Sequence, residues 1–203
     1  SAWVALPLGR LFDKSSGLPR YASRAELIDT FKIRDDARIV ISGTDEDNVI
    51  ERWWSNERRN TVLAWLAESG VDLVTTPNFS MFSNAPRPDH WYNAKRIALS
   101  WAEIVEAGVA AALHLNACDN GLWKHWIDFV GQRPEIAHVC FEWGTGAGPS
   151  RRAPWHVEQL IRFARAVARP LHLTVRGGMG ALRELTAAFH GVTFVDSSPY
   201  IRT

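Results

Sequence analysis

Along almost the whole chain, a short apolar run ends in polar or glycine residues and is followed by a stretch with apolar residues at helical spacing. The runs Arg38–Ser42, Asp72–Thr76, Ala110–Leu115, Ala137–Glu142, Leu171–Arg176 and Val192–Asp196 read as strands. Between them, Asp47–Ser69, Pro88–Ala107, Leu122–Gly131, Pro154–Ala168 and Met179–Phe189 read as amphipathic helices. Gly70, Gly108, Gly131 and Gly191 stand where C-caps are expected, and Ser23 is placed to cap a further helix over Arg24–Phe31.

Strands alternating with helices specify a parallel sheet with right-handed crossovers. Phase within the strands separates an open sheet from a barrel. His138, Cys140 and Glu142 share one face of their run, as do His172, Thr174 and Arg176, and Ala112, His114 and Asn116. A doubly wound sheet is apolar on both faces, whereas one polar phase suits a barrel whose interior leads to a site. The fold class predicted is therefore α/β, a TIM-like (β/α) barrel. Six βα strands are clear and Ala2–Leu6 offers a seventh, one short of the eight of a full barrel, so an incomplete barrel is expected. No linker or low-complexity stretch appears, so residues 1–203 read as a single domain, with 1–36 as a loop-rich extension carrying a short helix.

Composition adds exclusions. The 203 residues are long enough for a sizeable core, and 23 basic against 22 acidic side chains give no bulk charge to steer a polyanion. Two cysteines, Cys118 and Cys140, form neither a disulfide framework nor a CxxC pair, and Cys140 in its apolar run reads as a core thiol. No membrane-length apolar segment and no basic n-region precede the first strand, so a cytoplasmic protein is expected. No cofactor motif and no metal spacing such as HxH or HExxH is present, so neither is expected. Glu142, His114 and Asp45 are acceptable ligand types without supporting spacing. Two skews remain: ten tryptophans, and nineteen arginines against four lysines.

In this architecture chemistry sits at the C-terminal ends of strands. Glu142, followed by a Gly-x-Gly segment, is a candidate general acid or base, or else the salt-bridge partner of Arg176 on the next strand in the same phase. His114 and Asn116 form a candidate polar pair, whereas His138 and His172 lie deeper and read as structural. Asp196 closes the last strand as a candidate nucleophile, metal ligand or helix cap. Arg176-Gly177-Gly178 leads into a helix and suits an anion, the glycines otherwise making a tight turn. Gly144–Gly148 with Arg151 and Arg152 offers a second anion contact, or a solvated loop. Trp91, Trp143 and Trp155 fall near strand ends, where a ring can stack on a ligand, and Asn78 and Phe79 follow another strand. Trp53 and Trp54 are adjacent, so one is expected to be exposed or to meet a protein partner or a second copy.

The segment from Arg169 to Arg202 resembles the end of the tRNA-guanine transglycosylase barrel. Its first part, RPLHLTVRGGMGALRELTAAFHGVTFV, runs into Asp196, Ser197, Ser198 and Pro199. The pairing of that ending with the earlier Pro77-Asn78-Phe79-Ser80 is also similar to uncharacterised domains of phages and mobile elements. In the transglycosylases a strand ending in Gly-x-Gly leads to a helix, and the next strand presents a nucleophilic aspartate. The matching position is Asp196, with Pro199 and Arg202 behind it. TTPNFSMFS is similar to the family's DSGGFQVFS at Phe79, Phe82 and Ser83, but Thr75 falls where the family has its aspartate. The family's Cys/His zinc site and second glycine-rich segment have no counterpart. The resemblance implies attack of Asp196 on a ribose C1′ of a nucleotide or nucleic acid, with Glu142 or His114 as acid/base. The strand-end reading itself places Asn78, Phe79, Asn116, Trp143, Arg176, Gly177 and Gly178 as the expected substrate contacts. Two other readings stay open: a non-catalytic barrel used for binding or assembly, and a phosphate-binding barrel enzyme acting on a small metabolite.

Overall fold

The computed structural model describes residues 3–82, 84–143 and 152–195. Seven parallel strands follow one another in chain order and alternate with helices, the TIM-like (β/α) barrel class, with Trp3–Pro7 supplying the seventh strand. Asp196, the Gly144–Gly148 segment, Arg151, Ser83, Pro199 and Arg202 lie outside the described residues. The chain folds as two compact units, residues 1–80 with 91–111, and residues 81–90 with 112–203. Two of the three boundaries fall inside secondary structure, one in the helix Arg87–Glu106 and one in the strand Ala111–His114, so no change of composition marks them.

The first unit is built on β1 (Trp3–Pro7), β2 (Arg38–Ser42) and β3 (Leu73–Thr75), with Trp3 opposite Arg38 and Val40 opposite Leu73. Ile39, Val40 and Ile41 are buried on both faces, which is why β2 reads as an unbroken apolar run. The first residues are thus a sheet strand rather than part of a loose extension. Helix α1 (Arg24–Phe31) begins at Ser23, whose Oγ accepts from the Glu26 backbone N–H, while the Glu26 carboxylate accepts from that of Ala22. The single helix expected over 47–69 is two, α2 (Asp47–Ser55) and α3 (Arg59–Glu68). Asn56 makes the break: its side-chain oxygen accepts from the Arg58 N–H and its amide donates to the Gly17 carbonyl, a local turn that competes with helix.

The adjacent tryptophans resolve without exposure. Trp53 is buried against Phe12, and half-buried Trp54 lies edge-on to Phe79 beneath the Arg59 and Arg96 guanidinium groups. Neither ring is laid bare, because two arginines cover the face that does not enter the core. Arg96 is held by a two-pronged pair with Glu51 and by Asn93, and its guanidinium sits 3.9 Å over the Phe79 ring.

The second unit carries β4 (Ala111–His114), α5 (Asn120–Gly131), β5 (His138–Glu142), α6 (Ala153–Val167), β6 (His172–Arg176), α7 (Leu182–Ala188) and β7 (Gly191–Val195). Helix α4 (Arg87–Glu106) contributes its first turn. A short 3-10 turn over Met179–Ala181 precedes α7, replacing the single helix expected there. Leu113, Val139, Leu173 and Val175 from the strands meet a helix layer that includes Trp123, Trp126, Leu160 and Phe163, all buried. Trp123 stacks on Phe141 at 6.0 Å and meets Phe163 edge-on. Arg169 closes the C-terminal end of α5 by donating to the carbonyls of Val130, Arg133 and Ile136.

Gly70 and Gly108 have the positive φ of C-cap glycines, at 63° and 84°. Gly131 is instead the last residue of α5, and Gly191 opens β7, where a Cβ would run into the His172 ring. Among the described residues, no helix is long and apolar enough to cross a membrane.

Gly43 closes β2 against the segment after β3. Its N–H donates to the Thr75 hydroxyl at 2.8 Å, its carbonyl accepts from the Asn78 N–H, and a Cβ would come within 2.3 Å of the Thr76 carbonyl oxygen. Gly43→Ala is expected to lower stability by about 1–3 kcal/mol through forced backbone displacement. Gly131→Ala, which meets no atom within 4 Å, should leave stability unchanged or raise it. Urea midpoints of the two variants check the contrast.

Candidate functional site

Parallel pairing in the second unit sets side chains of one phase side by side. His138 pairs with His172, Cys140 with Thr174, and Glu142 with Arg176, while His114 pairs with Cys140 from the other side. His114, Cys140, Thr174 and Glu142 are all buried, so the polar phase read from the sequence lies inside the fold. The ends of β5 and β6 bring together Glu142, Trp143, Arg176, Gly177 and Gly178.

The Glu142 carboxylate is 2% exposed, and one of its oxygens lies 3.7 Å from a nitrogen of Arg176, whose side chain is 42% exposed. Burying a carboxylate is costly unless a counter-charge and donors accompany it, and Arg176 is the cation aligned by register. The separation exceeds the roughly 2.7–2.9 Å of a charge-assisted hydrogen bond. The pair therefore balances charge without fully committing the guanidinium donors. Both sequence readings of Glu142, strand-end carboxylate and partner of Arg176, describe the same geometry.

Gly177 and Gly178 have φ of 74° and 70°, the left-handed conformation that glycine adopts without strain. The expected cradle of N–H groups is only partly available, because the Gly177 N–H donates to the Val195 carbonyl and continues the ladder. What the glycines provide is room. The Trp143 indole lies over Gly178, where a Cβ would come within 2.3 Å of it. Trp143, Gly178, Ala181, Pro154 and Val157 line a cavity of about 530 Å³, with Glu184 at its edge.

Behind this wall, buried His156 touches the rings of Phe141, Trp143 and Trp155. Burial, aided by the nearby Arg152 cation, holds its pKa at about 4, well below the ordinary histidine value of 6.5. His138 and His172 lie at the opposite, N-terminal ends of their strands with rings 5.5 Å apart, and His172 Nε2 meets the Thr193 hydroxyl. Burial lowers the pKa of both, and His138 and His190 lower that of His172 further. Their place away from the strand ends agrees with a structural role.

His114 is buried at the end of β4, and half-buried Asn116 follows in the loop, where its carbonyl accepts from the Trp126 indole. In the first unit, Phe79 is packed under Arg96 and against Trp54, so its ring is a core contact rather than an open stacking face. Half-buried Asn78 follows Thr76 in the segment tied to Gly43. Thr75 uses its hydroxyl to accept from Gly43.

One cluster escapes the sequence reading. His90, in the first turn of α4, faces Cys118 and Asp119, which precede α5, and their ligand atoms lie within 4.8 Å of one another. The sequence gives little sign of it, since His90 stands 28 residues from Cys118 with no metal-binding spacing between them. Burial and the Asp119 carboxylate push the Cys118 thiol above its ordinary pKa, and Arg152 opposes them.

Gly178→Ala should destabilise by about 1–3 kcal/mol through strain and collision with Trp143, whereas Gly180→Ala, meeting no atom within 4 Å, should not; denaturant unfolding separates them. His156 is buried neutral, so its contribution to stability is complete above pH 6.5 and is lost as pH falls towards 4. The loss amounts to up to about 3 kcal/mol at ~1.4 kcal/mol per unit, less where solvent screens the charge. His156→Gln should flatten this part of the stability–pH curve, measured by urea unfolding between pH 4 and 7.

No family model matches the chain, and no curated protein matches it. Among solved structures, a provisionally assigned phosphonomutase from Burkholderia cenocepacia J2315 is similar at a TM-score of 0.48 and 15% identity, over 98% of this chain and 80% of that one.

Proposed function

We propose that this chain is a (β/α)-barrel enzyme acting on a small anionic metabolite, with Glu142 moving a proton and Arg176 holding the anionic group. The observation that carries the reading is the strand-end pair itself: a carboxylate 2% exposed beside a guanidinium 42% exposed. A carboxylate withdrawn from water at a strand end is placed for general acid–base work. A neighbouring cation that reaches solvent can meet a charged ligand and carry it to that carboxylate. The fork of the guanidinium matches phosphate or carboxylate oxygens in a way that an ammonium does not.

The Trp143 wall supplies an apolar surface beside the pair, suited to the carbon skeleton of a small molecule. Two cysteines that do not pair with each other, Cys118 and Cys140, suit the reducing cytoplasm. Glycosidic chemistry on nucleic acid would run through Asp196, outside the described residues, and through a carboxylate at position 75, where Thr75 is engaged with Gly43. No described residue favours it over the small-metabolite reading.

A thermal-shift screen tests the proposal, with phosphorylated and carboxylated metabolites in one set and purine bases and short oligonucleotides in the other. Members of the first set should raise the melting temperature, since saturation at 100 times Kd adds about 2.7 kcal/mol. Arg176→Met should abolish the shift. With the substrate so found, Glu142→Gln should keep binding and reduce kcat by about 10²–10⁴-fold. A shift produced by oligonucleotides alone, or full turnover by Glu142→Gln, overturns the reading.

A further inference from the structure

The geometry points to a zinc site made by His90 Nδ1, Cys118 Sγ and the Asp119 carboxylate, with a fourth position left to water or ligand. The cluster shares no residue with the Glu142–Arg176 pair, and nothing in the proposed reaction requires it. Its donor set is one imidazole, one thiolate and one carboxylate, each a recognised zinc ligand, and three protein ligands with an open fourth position is the pattern of a catalytic zinc rather than a closed structural one. The thiolate and imidazole together exclude the hard cations, magnesium and calcium, which take oxygen ligands.

Three details fit the ion. The first is tautomer. His90 Nε2 lies 2.8 Å from the Phe82 carbonyl oxygen, which can only accept, so Nε2 carries the proton and Nδ1 presents a lone pair. A ring nitrogen bonded to a backbone carbonyl while the other faces the ion is the usual outer-shell support of a zinc-bound histidine.

The second is spacing. Cys118 Sγ lies 3.5 Å from His90 Nδ1. Two ligands at about 2.3 Å (sulfur) and 2.0–2.1 Å (nitrogen) from a tetrahedral zinc stand about 3.5 Å apart. Sγ also lies 3.7 Å from Nε2, so the thiol rests against the ring, and a small rotation of the Cys118 side chain onto the Nδ1 lone-pair axis, together with closure of the carboxylate, brings the three onto one ion.

The third is rigidity. Asp119 is the N-cap of α5: its Oδ1 accepts from the Leu122 N–H at 2.8 Å, which fixes the side chain and leaves the other oxygen for the ion. The backbone at Cys118 is anchored in turn by Arg152, which donates to its carbonyl at 2.6 Å. Two ligands adjacent in sequence and a third on the first turn of a helix are thus held in place by contacts that do not use the ligating atoms.

The test uses the full chain, stripped with chelator and titrated with zinc chloride by calorimetry and with cobalt(II) chloride by absorption. One equivalent of zinc should bind with a Kd of micromolar or tighter. Cobalt should give an intense tetrahedral visible spectrum with a thiolate-to-cobalt charge-transfer band. Cys118→Ser should remove that band and weaken zinc at least 10-fold. Asp119→Asn keeps a good N-cap, so α5 stays intact by circular dichroism while zinc affinity falls at least 10-fold. His90→Gln should do the same. Zinc should also protect Cys118 from alkylation by iodoacetamide, with buried Cys140 as the internal reference. Sub-stoichiometric zinc, an octahedral cobalt spectrum, or equal affinity in folded Asp119→Asn and wild type overturns the site. So does alkylation of Cys118 that zinc does not slow, which would identify it as a thiol paired with His90 as a base.

Discussion

The register of β5 on β6 is the constraint from which the candidate site follows. Side chains alternate across a strand, so pairing His138 with His172 obliges Cys140 to meet Thr174 and Glu142 to meet Arg176. A slip of one residue would turn the whole polar set to the other face and set Glu142 beside an apolar partner. The carboxylate would then be buried without its cation, a state costing several kilocalories per mole. The apolar partners Val139, Phe141, Leu173 and Val175 hold the same register from the opposite face, where they meet the helix layer. Packing and charge thus select one alignment together.

That alignment explains why the glycines after β6 matter more for space than for their N–H groups. Once Glu142 is fixed, Trp143 must leave the strand across the chain that follows Arg176. Only residues without a Cβ and at ease with positive φ let an indole lie there. Trp143 in turn packs edge-on to His156, whose burial beside the Arg152 cation favours the neutral ring. A chain of local necessities runs from a strand pairing to a perturbed histidine.

In the first unit, arginine plays a different part. Arg96 joins Glu51, Asn93 and the rings of Phe79, Tyr92 and Trp54 through one planar group, bonding at its edge and stacking on its face. Arg169 closes a helix end, and Arg24 reaches the carbonyls of Gly70 and Ala37. Several of the described arginines are thus engaged in structural contacts, while Arg176 stands at a strand end beside Glu142.

The sequence by itself determined the strands and most of the helices to within a residue or two, because a buried apolar run and an apolar helix stripe each leave a pattern that needs no partner to be read. It also determined that Glu142 and Arg176 share a phase. It did not determine the break at Asn56 or the role of Gly191 as a strand opener, since each depends on a side chain or backbone group far along the chain. Phe79 read as a ligand contact and proved to be core, because only the fold brings Arg96 over its ring. The His90–Cys118–Asp119 cluster was invisible for the same reason: ligand geometry is a property of three-dimensional distance, and the first turn of α4 meets the residues before α5 only in the folded chain.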